Sequence, residues 1–170
     1  MLKDLLPVDI LCPCARWNSI HPDNAGRISA RIICPGANNP ITPDAEHTLF
    51  ERGVLCLPDF VTNCGGVLGG TMEFASVSRE RIATFIDRHI GARIAWLLNE
   101  AKSKCVLPRE VAVPLALHRF EEVQQSVAHP TPFRRLFEAG IKLYRRGCIP
   151  CSLVGTLSLR YFERTLSNPV

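Results

Sequence analysis

No apolar run in the 170 residues approaches the roughly 20 needed to span a bilayer as a helix, which argues against an integral helical membrane protein. Asp4, Pro7 and Asp9 interrupt the stretch where a secretory leader needs a continuous apolar core, so no export signal is expected. Repeats and low-complexity tracts are missing too, and the charged fraction of 21% beside 46% hydrophobic residues is that of a globular chain. The one Cys-x-x-Cys pair, Cys148-Ile-Pro-Cys151, has no second pair to complete a zinc site, and the nearest histidine, His129, lies 19 residues upstream of it. A Gly-x-Gly-x-x-Gly phosphate turn does not occur, and no nucleophile, general base or metal cluster stands out. Arg134-Arg135 and Arg145-Arg146 lack the interleaved aromatics of a base-stacking surface, so nucleic acid is not an expected partner.

Three apolar runs organise the first half of the chain: Asp9-Ile-Leu-Cys-Pro13, Arg31-Ile-Ile-Cys-Pro35 and Val54-Leu-Cys-Leu-Pro58. Their starts fall about 22 residues apart, which leaves room for the helical crossover that parallel strands require. Continuous rather than alternating apolarity predicts strands covered on both faces. Cys12, Cys34 and Cys56 sit inside these runs and read as small hydrophobes. With three of the eight cysteines used in this way, a reducing, cytoplasmic compartment is the better fit.

The intervening signals are helical. Pro22 fits the first position of a short helix. Thr42 reads as an N-cap, with Pro43 in the first turn and Asp44 and Glu46 complementing the macrodipole. Gly53 supplies a left-handed stop. Ile82, Phe85, Ile86, Ile90, Ile94, Leu97, Leu98 and Ala101 make one apolar stripe, predicting a helix from about Ser78 to Lys104, in one piece or two joined near Gly91. A helical pattern from Arg109 to Val127 is expected to be interrupted at Pro114. Another runs from Phe133 to Arg146, and a short fraying helix is expected after Ser152. Charge divides unevenly: residues 1–78 hold five Lys/Arg against eight Asp/Glu, and residues 79–170 hold fifteen against eight. The basic second half is consistent with solvated helix faces or with an acidic partner.

In open α/β sheets the ligand crevice lies beyond the carboxyl ends of the strands. The turns there are Cys14-Ala15, Gly36-Ala37-Asn38-Asn39 and Asn63-Cys64-Gly65-Gly66. Small residues admit a ligand close to the backbone, and the amides offer donors and acceptors. No acid–base pair accompanies them. A hydride-transfer cofactor accounts for that absence, because it carries the chemistry while the protein supplies position.

The ordered motifs Asp9-Ile-Leu-Cys-Pro-Cys-Ala15, Asn18, Ala30-Arg-Ile-Ile-Cys-Pro-Gly-Ala-Asn38, Pro40, Thr42-Pro-Asp-Ala45, Gly53-Val-Leu55, Pro58-Asp59, Asn63, Gly65-Gly-Val67 and Glu73-Phe74 resemble the glutamate/leucine/phenylalanine/valine dehydrogenases. The resemblance covers residues 8–75 closely and extends to about 104. It implies a partial doubly wound (Rossmann-type) parallel sheet in residues 1–104, the second half of an NAD(P)-binding domain, followed by a helical region at 105–170. It implies NAD or NADP as cofactor and oxidative deamination of an L-amino acid to a 2-oxo acid. Residue by residue, it assigns Cys14, Ala15, Asn38 and Asn63 to the nicotinamide half of the cofactor, and Val67 and Gly70 to the amino-acid side-chain pocket. Gly70 departs from the serine or apolar residue that family members carry there, and Pro35 replaces the acidic residue before Gly-Ala-Asn. The family's catalytic lysines and aspartate, and its phosphate-binding turn, find no counterpart in these residues. No catalytic or metal-binding residue is therefore assigned. The expectation is a C-terminal portion of such an enzyme, inactive alone, that self-associates or joins a complementary dehydrogenase chain. A non-catalytic nucleotide-binding or assembly module and a basic interaction protein are the alternatives.

Overall fold

The computed structural model describes residues 7–166. Three short parallel strands, β1 (Ile10–Leu11), β2 (Ile32–Ile33) and β3 (Leu55–Cys56), pair in the order β1-β2-β3. The register matches Ile10 with Ile32 and Leu11 with Ile33, then Ile32 with Leu55 and Ile33 with Cys56. The ladder extends past the strand bounds, since the N–H groups of Ile32, Cys34 and Gly36 donate to the carbonyls of Asp9, Leu11 and Pro13. The spacing of the apolar runs thus reports the crossover length correctly.

The crossovers are helical. Helix α1 (Pro22–Ala25) begins at a proline, and Asn24 closes it by donating to the Ser19 carbonyl at 2.9 Å. Helix α2 (Pro43–Glu51) is capped by Thr42, whose hydroxyl accepts from the Ala45 N–H. It stops at Gly53, where φ is +75°. Arg52 at its end donates to the carbonyls of Ala25 and Ile28, tying the second crossover to the first. The core beneath is Ile20, Ala25, Ile28, Ile33, Ala45, Leu49 and Cys56.

After β3 the chain turns through α3 (Asp59–Thr62) into α4 (Cys64–Phe74). Helix α5 (Arg79–Lys104) runs unbroken past Gly91. Helix α6 (Pro108–Ala128), α7 (Pro132–Arg145) and α8 (Cys151–Leu166) complete the chain. Two compact units result: residues 1–65 with 94–112, and residues 66–93 with 113–170. In the first, Leu97, Ala101, Val111 and Ala112 pack with Val61, Trp96 and Val106. In the second, Met72, Val77, Ile82, Phe85 and Leu159 form the core. Residue 104, the boundary expected from sequence, falls inside the first unit.

Several expectations are corrected. Pro114 does not interrupt α6, because a proline removes one helical donor and a helix anchored by buried Val111 and Ala112 absorbs that loss. Cys64-Gly65-Gly66 is no open turn but the beginning of α4, since Asn63 already ends α3. Covered faces hold for β2 and β3 but not for β1, one of the two sheet edges, where Ile10 is 54% exposed. Cys56 is buried as expected, whereas Cys12 is exposed and Cys34 only half-buried. The last helix is not short: it spans 16 residues and buries Leu159, and any fraying beyond residue 166 lies outside the described residues.

Candidate functional site

The turn after β2 is built around two asparagines. Asn39 takes a left-handed backbone, φ 46°, as does Asn18 at φ 49°, a conformation asparagine tolerates better than branched residues. The Asn18 N–H donates to the Asn39 carbonyl at 2.8 Å, so the two strained positions lock together. Gly36 sits at a close approach: a β-carbon there would lie 2.5 Å from the Cys14 sulfur, which would have to rotate away. The N–H groups of Gly36 and Ala37 both donate to the Pro13 carbonyl. The turns after β1 and β2 therefore form one hydrogen-bonded surface.

The third turn joins them through side chains. Asn63 Nδ2 donates to Asn38 Oδ1 at 2.6 Å across 25 residues of sequence. The pair spends one donor and one acceptor. A carboxamide carries two donors and one acceptor oxygen. The Asn38 amide group and the Asn63 carbonyl therefore remain for a ligand, and both side chains border solvent. The Thr62 hydroxyl donates to the Pro35 carbonyl at 2.6 Å, holding the β2 exit against α3.

Behind the turns stands a buried ionic brace. Asp59 Oδ2 accepts the Asn39 N–H at 2.9 Å, and Asp59 Oδ1 accepts from Arg109 Nη2 at 2.9 Å. Arg109 Nε donates to Glu46 Oε2 at 2.7 Å. The carboxyls of Glu46 and Asp59 are only 3% and 6% exposed. Burial works to raise Asp59, but the Asn39 N–H and the guanidinium outweigh it and hold the carboxyl below its usual range. Burial wins at Glu46 and pushes it up against the pull of Arg109. Its Oε1 is buried and lacks a hydrogen-bond partner among the described residues. Burial likewise raises the Cys56 thiol to about 12, with the Glu46 charge adding to it, so that residue stays a neutral core group.

The expected residues divide accordingly. Asn38 and Asn63 are brought into contact, and Cys14 packs at Gly36 beside them, with Ala15 exposed in the same turn. Val67 and Gly70 lie three residues apart on one face of α4, within the second unit. Val67 is 78% exposed, and a β-carbon at Gly70 would meet nothing. No group of metal ligands occurs among the described residues. An opening of about 290 Å³ lies between α5 and α8 beside Arg81, Phe85 and Leu159, within the second unit.

The brace itself was missed from sequence. Glu46 reads as a dipole complement and Asp59 as part of a connector. One signal was available for Glu46: it sits on the inward face of α2 with Ala45 and Leu49. Arg109 carries no local signal, since its partners are 50 and 63 residues away.

The pattern that defines the family "Glutamate/Leucine/Phenylalanine/Valine dehydrogenase" matches residues 2–126. The chain belongs to this family. It is 36% identical over 123 residues to an NADP(+)-dependent glutamate dehydrogenase of Pyrobaculum calidifontis, covering 66% of this chain and 28% of that protein. It is 50% identical over 69 residues to a glutamate dehydrogenase of Thermotoga maritima, covering 41% of this chain and 17% of that one. Among solved structures it resembles L-tryptophan dehydrogenase from Nostoc punctiforme, with a TM-score of 0.59, 27% identity, and 71% of this chain matched to 36% of that chain. A hetero-hexameric glutamate dehydrogenase from Thermus thermophilus gives a TM-score of 0.61 at 25% identity, with 69% of this chain matched to 30% of that one. The chain thus spans between about a sixth and a third of the lengths of these relatives. Its parallel sheet and its structural neighbours make the fold Rossmann-type, as expected.

Proposed function

We propose that this chain supplies the nicotinamide side of the NAD(P) site of an amino-acid dehydrogenase that deaminates an L-amino acid oxidatively to a 2-oxo acid. The observation that carries this reading is the Asn38–Asn63 pair, which sits at the carboxyl ends of the strands and leaves one donor group and one acceptor facing solvent. A nicotinamide carboxamide presents the complementary acceptor and donor, so the residues present fit the cofactor. When bound, the dinucleotide supplies the hydride acceptor for the substrate α-carbon.

The chain's own groups position and orient. Asn38 and Asn63 bind the carboxamide or the adjoining ribose, and the brace through Asp59 keeps Asn38 in place. Cys14 and Ala15 give the cofactor close access to the backbone. Val67 and Gly70 belong, on this reading, to the amino-acid side-chain pocket. The groups that clamp the substrate carboxylate, and the phosphate-binding turn, come from a complementary dehydrogenase segment or chain, and the assembly works in the cytoplasm. The exposed apolar residues of the β1 edge, Val8 and Ile10, support such an association or self-association.

Titration of the chain with nicotinamide mononucleotide, NAD and NADP, followed by nuclear magnetic resonance, tests this. The first should shift the Asn38 and Asn63 side-chain resonances, and adenosine monophosphate should not. NAD or NADP should bind with a Kd on the order of millimolar, about −4 kcal/mol, because the helix N-terminus that holds the pyrophosphate is not among these residues. Asn38→Ala or Asn63→Ala should weaken binding further. Micromolar affinity, or shifts confined to the second unit, would overturn the reading.

A further inference from the structure

Three thiols converge where β1 and β2 end. The offset that pairs Ile10 with Ile32 and Leu11 with Ile33 continues for two more residues, because Cys34 N–H donates to the Leu11 carbonyl and Gly36 N–H to the Pro13 carbonyl. Cys12 therefore stands directly opposite Cys34. Paired positions of adjacent parallel strands turn their side chains to one face. Neighbouring strands run about 4.8 Å apart, inside the roughly 4.4–6.8 Å Cα separation that a disulfide spans. Cys12 and Cys14 are both close enough to act on the Cys34 thiol. All three are free, Cys12 and Cys14 being exposed and Cys34 half-buried. The dehydrogenase reading uses neither Cys12 nor Cys34.

We propose that Cys12 and Cys34 are a modification site for low-molecular-weight disulfides, which convert the pair to a cross-strand disulfide. The Cys12 thiolate attacks one sulfur of the external disulfide, its S–S bond breaks, and one thiolate leaves and is protonated by water. The mixed disulfide on Cys12 is then attacked by Cys34 after its proton passes to solvent, and the second external thiol departs. Two protein thiols are oxidised and one external disulfide is reduced to two thiols. The order follows from the surroundings. Burial, with Cys12 and Cys14 adding to it, raises the pKa of Cys34, so it is the slower first attacker, and exposure favours Cys12. The bridge would staple the β1 edge to β2 one residue before Pro13 and two before Gly36, at the base of the turns that carry Asn38.

Cys148 and Cys151, both exposed, are a competing pair. The experiment therefore uses the full chain carrying Cys148→Ser and Cys151→Ser. It is incubated with oxidised glutathione, quenched by alkylation and mapped by mass spectrometry. The expected result is loss of two free thiols, a linked peptide joining residues 12 and 34, and no retained glutathione. Cys14→Ser should bridge as its parent does, whereas Cys34→Ser, or Cys34→Ala if the first variant unfolds, should hold glutathione on Cys12. Bridging should be at least roughly tenfold faster in native buffer than in denaturing urea, because the fold holds the second thiol at the first. Glutathione persisting on Cys12 of the parent, a link from Cys14 to either partner, or equal rates in urea would overturn the proposal. Because the readout is thiol chemistry, it stands or falls independently of dinucleotide binding.

Discussion

Arg109→Met keeps most of the side-chain volume and removes the guanidinium, which leaves the Glu46 and Asp59 carboxyls, 3% and 6% exposed, without their cation. Breaking a buried pair from one side costs about 3–5 kcal/mol, because an uncompensated charge stays in the interior. Here two carboxyls are stranded, and the cation–π contact of the guanidinium over Phe60, 5.8 Å from the ring centre, is lost as well. For a chain of this size the fall in Tm should be roughly 6–20 °C. The pH dependence makes the test sharper. Asp59 is held low by its hydrogen bonds and the guanidinium against burial, so its contribution is present above about 3.9, its unfolded value, and is lost as pH falls through the lower folded value. Glu46 is held high by burial, so its contribution is complete below about 4.3 and is lost as pH rises through the folded value. Without Arg109 both carboxyls move upward, and both bury more easily when protonated. The deficit of the variant should therefore shrink as pH is lowered from about 7 to about 5. Adding Glu46→Gln should recover part of the loss at neutral pH, by roughly 0.5–3 kcal/mol of coupling. Urea titrations of the parent, Arg109→Met, Glu46→Gln and the double variant at both pH values supply the measurement. A deficit below about 1 kcal/mol at neutral pH, the level of a surface pair, or one that grows on acidification, would refute a buried brace.

Other perturbations read different parts of the first unit. Gly36→Ala pushes a methyl into the Cys14 sulfur; since that sulfur ends a short exposed side chain, rotation limits the cost to about 0.5–1.5 kcal/mol, and denaturation should show no cost in a Cys14→Ala background. Amide exchange at residues 9–13 of a dilute monomer should outpace that at 31–35, because β2 has neighbours on both sides and β1 on one; equal protection would mean that the β1 edge is covered. Purified chain should turn over no common L-amino acid with NAD or NADP in a dehydrogenase assay, for want of groups that clamp the substrate and deprotonate its amine; activity in a preparation free of host enzyme would show that the 170 residues suffice.

The sequence by itself determined the parallel sheet, since the length between apolar runs fixes a helical crossover and the strand ends carry prolines and small turn residues. It determined the limits of α2 through Thr42 and Gly53, whose capping acts within a few residues of chain. It also placed Asn38 and Asn63 at strand ends. Only the tertiary structure decided that these two amides touch, because a sequence separation of 25 carries no periodic signal of contact. Tertiary context alone turned Cys64-Gly65-Gly66 into a helix start and kept α6 continuous through Pro114. It left Cys12 exposed while Cys56 on β3, the other edge strand, is buried, a difference that apolar composition does not show. The brace of Glu46, Asp59 and Arg109 is the clearest case. Each residue is locally ordinary, and its role arises when α2, α3 and α6 bring two acids and a base into one water-poor space, where charges must pair.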